Sequence, residues 1–437
     1  MSRGFRLMRS AVAALALVAL SASAEAQEPL RLMNEPIAYT DVIDAFDDGD
    51  MFDLNVHVGF RRSRVAGTIQ REGSTDPAVL GSGRGSDNFN DIGDWEHTRN
   101  ILDLGVDVGI YKDLMLFARL PLVLRDQRRI LTPSGTTADE VNRLLREPNM
   151  DPADPMTDPQ LYQMPFESPT RSGLDRLEFG LAFNLLNQAR DRHHPTWMMK
   201  LSLDLGVGNQ INACENEGLQ RDPATGLPLD PAVPVECDPG LTDGTHAFVF
   251  ASRLSKRYAH LSVYSGLHFR FSWPGRAESE FTPGGGLAGY QNPRPPIEGG
   301  LALGISVIPW ENRASWQRFS IDFRVDGTYV SEGRAYSPLY DALGSSQHPY
   351  LTELNYEGIP NGSAVLRPVG FNGLTDTQAH GVLAGTVAVE MQAAKYVRFR
   401  IGTTVSYTTS HLLTYTDACN PNADPSGPDD PRAALGL

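Results

Sequence analysis

Apolar residues alternate with polar or small residues along many segments of this chain, and this period of two restricts its fold more than any other feature. In residues 100–126, NILDLGVDVGIYKDLMLFARLPLVLRD, every second residue is apolar before and after Tyr111-Lys112-Asp113. Successive side chains of a β-strand point to opposite faces of a sheet, so the pattern predicts strands. Two such runs joined by a tight turn predict a β-hairpin.

The alternation recurs and predicts eleven strands, at residues 52–60, 102–110, 114–124, 177–185, 197–207, 245–254, 261–271, 301–307, 319–329, 381–391 and 397–407. One face consists of Leu, Val, Ile and Phe, and the other of Gly, Ala, Ser and charged residues. A sandwich exposes its polar face to water, where Lys, Thr and Glu are expected, whereas small residues and paired charges favour a curved interior. Pro121 removes a hydrogen-bond donor inside the third strand, which predicts a bulge or local distortion.

The connections between these strands alternate in length. Short ones lie at 111–113, 186–195, 255–260, 309–316 and 392–395, and long ones at 71–98, 126–172, 209–244, 272–296 and 331–378. The long connections are rich in Gly, Pro, Asp, Ser and Asn, as mobile surface loops are. One of them carries a predicted short helix, TADEVNRLLRE, at residues 137–147. Short turns on one side and long loops on the other are typical of outer-membrane barrels.

Aromatic residues cluster near both ends of the apolar strand faces. They are Phe52, Trp197, Tyr258, Trp310, Trp316 and Tyr396 on the short-turn side, and Phe60, Phe271, Trp273, Tyr329 and Tyr407 on the long-loop side. Two such girdles mark the interfaces of a membrane barrel. Strands of nine to eleven residues also match a tilted bilayer crossing.

Over nearly all of the mature chain, the sequence therefore resembles bacterial outer-membrane β-barrels of the porin and channel class. The resemblance rests on architecture, not on a specific motif. The hairpin DLGVDVGIYKDLMLFARLPLVL also resembles repeats in barrels associated with uptake of aromatic or other hydrophobic compounds. The resemblance implies an all-β, antiparallel transmembrane barrel of about twelve strands, with short periplasmic turns and long extracellular loops.

Eleven crossings are an odd number, whereas single-chain bacterial barrels have even strand numbers. The tail 409–437 reads as an extracellular loop, and Cys419 within it has no evident partner. We expect a twelfth strand beyond the given sequence. The alternatives are a strand overlooked at 28–40 or within 331–378, and a strand supplied by another chain.

The N-terminal residues predict export. Residues 1–26 combine a basic start (Arg3, Arg6 and Arg9), an apolar run and a small-residue cleavage site, which is the pattern of a signal peptide. A membrane-anchor helix is the alternative, but the apolar run is too short to span a bilayer. Residues 27–51 then form a periplasmic lead-in and 52–408 the barrel, located in the bacterial outer membrane.

The net charge bears on partners. The chain has 38 basic and 53 acidic residues, and without the three arginines and one glutamate of residues 1–26 it has 35 and 52, a net of −17. Such a balance argues against nucleic acid, whose phosphates demand a basic surface. The predicted partners are the outer-membrane lipid bilayer, small solutes and, through the extracellular loops, a surface protein.

Charged residues on the non-apolar strand faces are predicted to line a lumen. They are Asp103, Asp107, Arg119, Arg125, Arg176, Glu178, Lys200, Asp204, Arg253, Arg270, Asp322, Arg324, Asp326, Glu390, Arg398 and Arg400. In a channel, such groups set the electrostatic profile and the selectivity. The alternative is that they pair across strands and fill a static interior.

The cysteines, a histidine pair and an acidic stretch are further candidate sites in the sequence. Cys214 and Cys237 share one polar loop of an exported chain, which predicts a disulfide. No metal or cofactor is predicted: two thiols without a nearby histidine pair make a poor zinc site, and His193-His194 in a short turn is a weak alternative. DAFDDGD at 44–50 lacks the ligand spacing of a calcium loop.

Three functions remain. The first is an outer-membrane channel or facilitator for passive passage of small solutes. The second is a structural or docking barrel that presents long acidic loops to a partner. The third is an outer-membrane lipid hydrolase, which needs a serine, a histidine and an orienting third group. His57, His246 and His268 show no such spacing, so no enzyme is predicted.

Overall fold

The computed structural model describes residues 37–43, 45, 53–72, 89–145, 160–214, 238–275, 281, 294–346, 355–357, 367–369 and 373–414. The predicted signal peptide, Cys237 and Cys419 lie outside these ranges.

The described residues are mostly β-structure. In chain order the strands are β1 Leu54–Glu72, β2 Phe89–Tyr111, β3 Leu114–Leu131, β4 Phe166–Glu167, β5 Arg171–Leu174, β6 Arg176–Leu186, β7 Thr196–Gly206, β8 Thr245–Tyr258, β9 Leu261–Pro274, β10 Glu298–Asn312, β11 Gln317–Val330, β12 Gly333–Ala335, β13 Asn355–Glu357, β14 Arg367–Val369, β15 Thr375–Thr377, β16 His380–Ala394, β17 Val397–Thr408 and β18 Leu413–Thr414. The helices are α1 Ala138–Leu144 and α2 Tyr340–Gly344, with a 3-10 turn at Arg313–Ser315. None of these helices is long and apolar enough to cross a membrane.

One antiparallel sheet contains all eleven predicted strands, in the order β1-β2-β3-β6-β7-β8-β9-β10-β11-β16-β17. Each of these eleven strands pairs with the next one in this order, and the short strands β4 and β5 pair with β3. The order ends at β1 on one side and β17 on the other, so the sheet is open in the part of the chain that the structure describes. In the described parts of 28–40 and 331–378, residues 38–40 form a turn, and β12 to β15 pair outside this sheet.

Several strands run past the predicted segments on the long-connection side. β1 has 19 residues and β2 has 23. The parts next to the long connections, called the upper parts below, carry polar residues on both faces, so the sequence shows no clear alternation there. Cross-strand polar pairs hold these parts together. Arg64 Nε lies 2.8 Å from Glu96 Oε1, and Gln70 donates a 2.7 Å hydrogen bond to Asp91.

The distortion predicted at Pro121 is present. The β3–β6 ladder ends at Arg119 opposite Glu178, and pairing resumes with β5 at Leu122 opposite Leu174. Proline has no N–H to donate at this point, which accounts for the break. A second irregularity lies in the pairing of β3 with β2. Val123 and Arg125 pair with consecutive residues of β2, so Leu124 between them is unpaired and forms a β-bulge.

The sheet exposes apolar side chains and buries polar ones, which is the reverse of the arrangement in a water-soluble protein. Large apolar side chains of the outer face are exposed, including Leu116, Phe179, Leu303 and Val325. Polar side chains of the other face are buried; they include Asp107, Asp204, Ser262, Ser306, Ser320 and Glu390. Water-soluble proteins rarely expose an apolar surface of this extent, so the outer face requires an apolar partner.

The described parts of the long connections pack together, whereas the expectation of mobile surface loops for their other residues stays a prediction. Val141, Leu145, Leu161 and Leu343 form a buried apolar cluster with Ile130 of β3. The predicted helix is confirmed as α1, and its first turn is fixed by a capping box in which Thr137 and Glu140 exchange hydrogen bonds. We call this packed region the cap.

Arg171 connects three of the long connections within the cap. Its guanidinium donates to Asp341 Oδ2 at 3.1 Å and, at 3.0 Å each, to the carbonyl oxygens of Pro239 and Asn212. Both members of the ion pair are almost fully buried. The cap is therefore held by directional contacts as well as by apolar packing.

Candidate lumen on the inner face of the sheet

The inner face carries most of the charged residues predicted to line a lumen, and most of these form pairs between strands. On β1 to β3, Asp107 lies 2.5 Å from His57 Nε2 and 2.5 Å from Arg119 Nη2. Asp103 lies 3.3 Å from Arg61 Nη2. The short pairs are possible because the register puts these residues on adjacent strands of one face.

A second group of pairs spans β6 to β9. Lys200 Nζ lies 2.8 Å from Glu178 Oε1, which also accepts a 2.8 Å hydrogen bond from Ser202. Asp204 lies 2.6 Å from Arg270 Nη1 and 3.5 Å from Arg176 Nη1. Each carboxylate thus has two neighbouring donors.

A third group spans β9 to β17. Asp322 accepts a 2.7 Å hydrogen bond from the Tyr264 hydroxyl and lies 3.4 Å from Arg400 Nη2. Glu390 lies 3.6 Å from Arg398 Nε and 4.0 Å from Arg400 Nη1. Arg324 and Asp326 pair within β11 at 2.8 Å.

Arg125 differs from the other predicted lumen residues. The irregularity after Val123 shifts the alternation, so that Asp126 is buried while Arg125 is exposed. Adjacent strand residues point to opposite faces, which puts Arg125 on the face opposite Asp126. Asp126 instead lies 3.1 Å from His97 Nε2 and 3.2 Å from Arg99 Nε.

The inner face is not empty, because residues just before β1 lie across it. We call residues 37–43 and 45 the inner segment. Ile37, Thr40, Val42 and Ala45 are each less than a tenth exposed. The Ala45 carbonyl accepts a 2.7 Å hydrogen bond from Lys112 N in the β2–β3 turn.

The inner segment also shows how strongly the sheet is curled. Asp41 contacts Arg398 of β17, and four residues later Ala45 contacts the β2–β3 turn. Four residues reach at most about 14 Å. In a flat sheet β3 and β17 would be eight strand spacings, about 38 Å, apart. Only a sheet curled around the segment can make both contacts.

Tyr39 makes several contacts with the inner face. Its ring lies 4.5 Å from the Tyr264 ring and 4.7 Å from the Arg253 guanidinium. Arg253 also donates a 3.1 Å hydrogen bond to the Tyr39 carbonyl. Gly266 makes room for the hydroxyl, since a Cβ there would lie 2.2 Å from it. Burial raises the pKa of the Tyr39 phenol above its usual value.

The rest of the segment has an apolar and a polar side. Val42 packs against Met115, Phe117, Ala182 and Met198. Thr40 Oγ1 lies 2.7 Å from Ser255 Oγ, and Asp41 Oδ2 lies 3.0 Å from Arg398 Nη1. The cavity beside Ile37 and Tyr39 measures about 20 Å³, which is room for a single water.

Sequence reasoning named Arg253, Glu390 and Arg398 but gave no role to the inner segment, which it assigned to a lead-in before the barrel. No local signal could have found it. The segment has no strand periodicity, and its partners lie on five or more different strands.

The other predicted sites gain little definition. Cys214 lies within the described residues and Cys237 outside them, so the disulfide between these two stays a prediction. In the short β6–β7 turn, His194 Nδ1 lies 2.9 Å from Asp191, and the His193 backbone N–H lowers the pKa of that carboxyl. Within the described ranges, no group of three or more His, Cys, Asp or Glu side chains could hold a metal ion.

Comparisons with known proteins give no family assignment: no protein-family model matches the chain, and no curated protein matches it significantly.

Proposed function

We propose that this protein is an outer-membrane channel or facilitator through which small solutes pass passively along a charged lumen. The observation that carries the proposal is the reversed polarity of the sheet, with exposed apolar side chains outside and buried ion pairs inside. That arrangement suits a sheet between hydrocarbon and a wet interior.

The aromatic residues support placement in a membrane. Of the eleven predicted girdle residues, Phe52 lies outside the described ranges, and the other ten are all exposed. Near the short turns, Lys395 lies 5.6 Å from the Trp316 ring and 5.0 Å from the Tyr396 ring. Aromatic rings with adjacent basic groups are typical of the interface between hydrocarbon and headgroups.

Strand direction supports closure by one further strand. Successive strands are antiparallel, so the first and the last of eleven run the same way. One strand running the opposite way would pair antiparallel with both β1 and β17. In hydrocarbon, both edges must be paired. We therefore propose a closed barrel of about twelve strands.

The paired charges define the solute class in broad terms. Carboxylates and guanidinium groups alternate around the inner face, so neither sign of charge dominates. Such a lumen favours small polar solutes and gives weak selectivity between cations and anions.

Planar-bilayer recording tests the channel. The protein, refolded in detergent, should insert and give discrete current steps with similar permeability to K⁺ and Cl⁻. A heat-denatured sample is the control. Co-flotation with vesicles in the absence of any current would contradict the channel and retain the membrane location, and failure to float would contradict both.

A docking barrel is the second candidate. The inner segment fills part of the inner face, and the cap is fixed by the buried Arg171–Asp341 pair. A barrel that stays silent in every variant, while its cap captures a surface protein, would favour this function.

A further inference from the structure

We propose that the inner segment is a gate, which obstructs the lumen in this structure and opens it on leaving the inner face. The inference rests on the proposed channel, because gating requires a lumen that conducts.

The inner segment lies where it can obstruct the lumen. The segment runs from contacts on β8, β9 and β17 to the β2–β3 turn, and thus crosses between opposite walls of the curled sheet. Thr40 is fully buried, and Val42 and Ala45 nearly so. A solute moving along the inner face would meet the segment beside the short turns.

The inner segment contacts the sheet without joining it as a strand. Residues 37–43 and 45 form a turn and irregular backbone and take no part in a strand ladder. Most of their described contacts to the sheet are made by side chains, apart from the backbone carbonyls of Tyr39 and Ala45. The segment can therefore leave without breaking any strand pairing.

Arg398 and Asp322 of the sheet retain partners after release of the inner segment. Arg398 lies 3.0 Å from Asp41 and also 3.6 Å from Glu390 on the neighbouring strand. Asp322 keeps its hydrogen bond from Tyr264 when Tyr39 moves away. Departure would thus leave Arg398 and Asp322 paired, which keeps the open state accessible.

A reversible lock tests the gate. Thr40 Oγ1 and Ser255 Oγ lie 2.7 Å apart, so the double variant Thr40→Cys/Ser255→Cys places two sulfur atoms close enough to bond. Single-channel recording should show the oxidised protein closed, with conducting events returning on reduction. The two single variants, which retain the native cysteines, control for effects of the redox agents.

A second variant weakens the contacts of the inner segment and tests whether its release opens the lumen; we call it the release variant. Tyr39→Ala/Asp41→Asn removes the aromatic contacts and the ion pair together, and should raise the open fraction about tenfold. In the same background, a cysteine introduced as Thr40→Cys should react with a bulky maleimide about tenfold faster than the same cysteine with Tyr39 and Asp41 retained.

The outcomes separate the two proposals. Equal, nonzero currents in the oxidised and reduced lock would overturn the gate and leave the channel standing. Unchanged maleimide reactivity in the release variant would overturn the gate independently of any current. Absence of current in every variant would overturn the channel, and the gate with it.

Discussion

The half of the molecule next to the short turns exposes apolar side chains and buries charged ones, whereas the half next to the long connections has an ordinary apolar interior. Leu303 and Phe179 are exposed in the first half, while Ile130 and Val141 are buried in the second. Strands such as β2 and β3 run through both halves. The comparison shows two opposite ways of burying side chains in one chain, which fits the proposal that hydrocarbon surrounds the half next to the short turns and water surrounds the cap.

The largest expected effect is in the cap. Among the described residues, Arg171→Leu leaves the buried Asp341 with Arg128 as its remaining ion-pair partner, at 3.5 Å, and should lower the free energy of unfolding by about 3–5 kcal/mol. Limited proteolysis and thermal unfolding measure the loss. Arg171→Leu/Asp341→Leu should recover part of it, and a single variant as stable as the unaltered protein would show that the cap does not depend on this pair.

The next effect separates the two environments directly. Leu303→Arg should destabilise the protein in vesicles by about 2–4 kcal/mol, because an arginine on the lipid face enters hydrocarbon. The matched variant Leu131→Arg, at the upper end of β3, should change stability by only about 0.5 kcal/mol. Urea titration in vesicles measures both. Equal effects would mean that water bathes both positions.

A smaller effect is expected inside the curled sheet. Asp107→Asn removes the charge that pairs with both His57 and Arg119, and should cost about 1–3 kcal/mol. Asp103→Asn, whose partner Arg61 is well exposed, should cost less than about 1 kcal/mol. The two variants are compared by urea unfolding followed by tryptophan fluorescence; the reverse order would argue against a buried inner face at Asp107.

The smallest effect is expected at the exposed upper end of β1. Arg64→Ala removes an ion pair with Glu96 in which the arginine is largely exposed, and should change stability by less than about 1 kcal/mol. The same unfolding assay applies, and raised salt should reduce the difference further. A loss comparable with that of Arg171→Leu would contradict the distinction between exposed and buried pairs.

The strands could be predicted because each is encoded locally. Alternation in 102–110 and 114–124 required no knowledge of distant residues, and β2 and β3 include both segments. The irregularity at Pro121 could also be predicted, because the missing N–H of a proline interrupts the strand ladder at the proline itself. The polar upper part of β1 was missed, since Arg61–Glu72 alternates poorly and is held by pairs with β2.

The candidate lumen was predicted only as a set of residues. The face of Asp107 or Arg400 follows from the alternation, but its partner depends on the register between strands far apart in sequence. Arg125 shows that alternation alone does not always give the correct face, because the one-residue bulge in β3 moves this side chain to the other face.

By itself, the sequence determined the eleven strands, their antiparallel succession and the contrast between an apolar and a polar face, because these follow from a period of two and from turn chemistry. Only the tertiary structure decided that the long connections form a cap, that charges pair in three groups, and that Tyr39 and Asp41 lie inside the curled sheet. These features join residues up to 357 positions apart. Curvature and register bring them together, and neither is written in any short stretch of the chain.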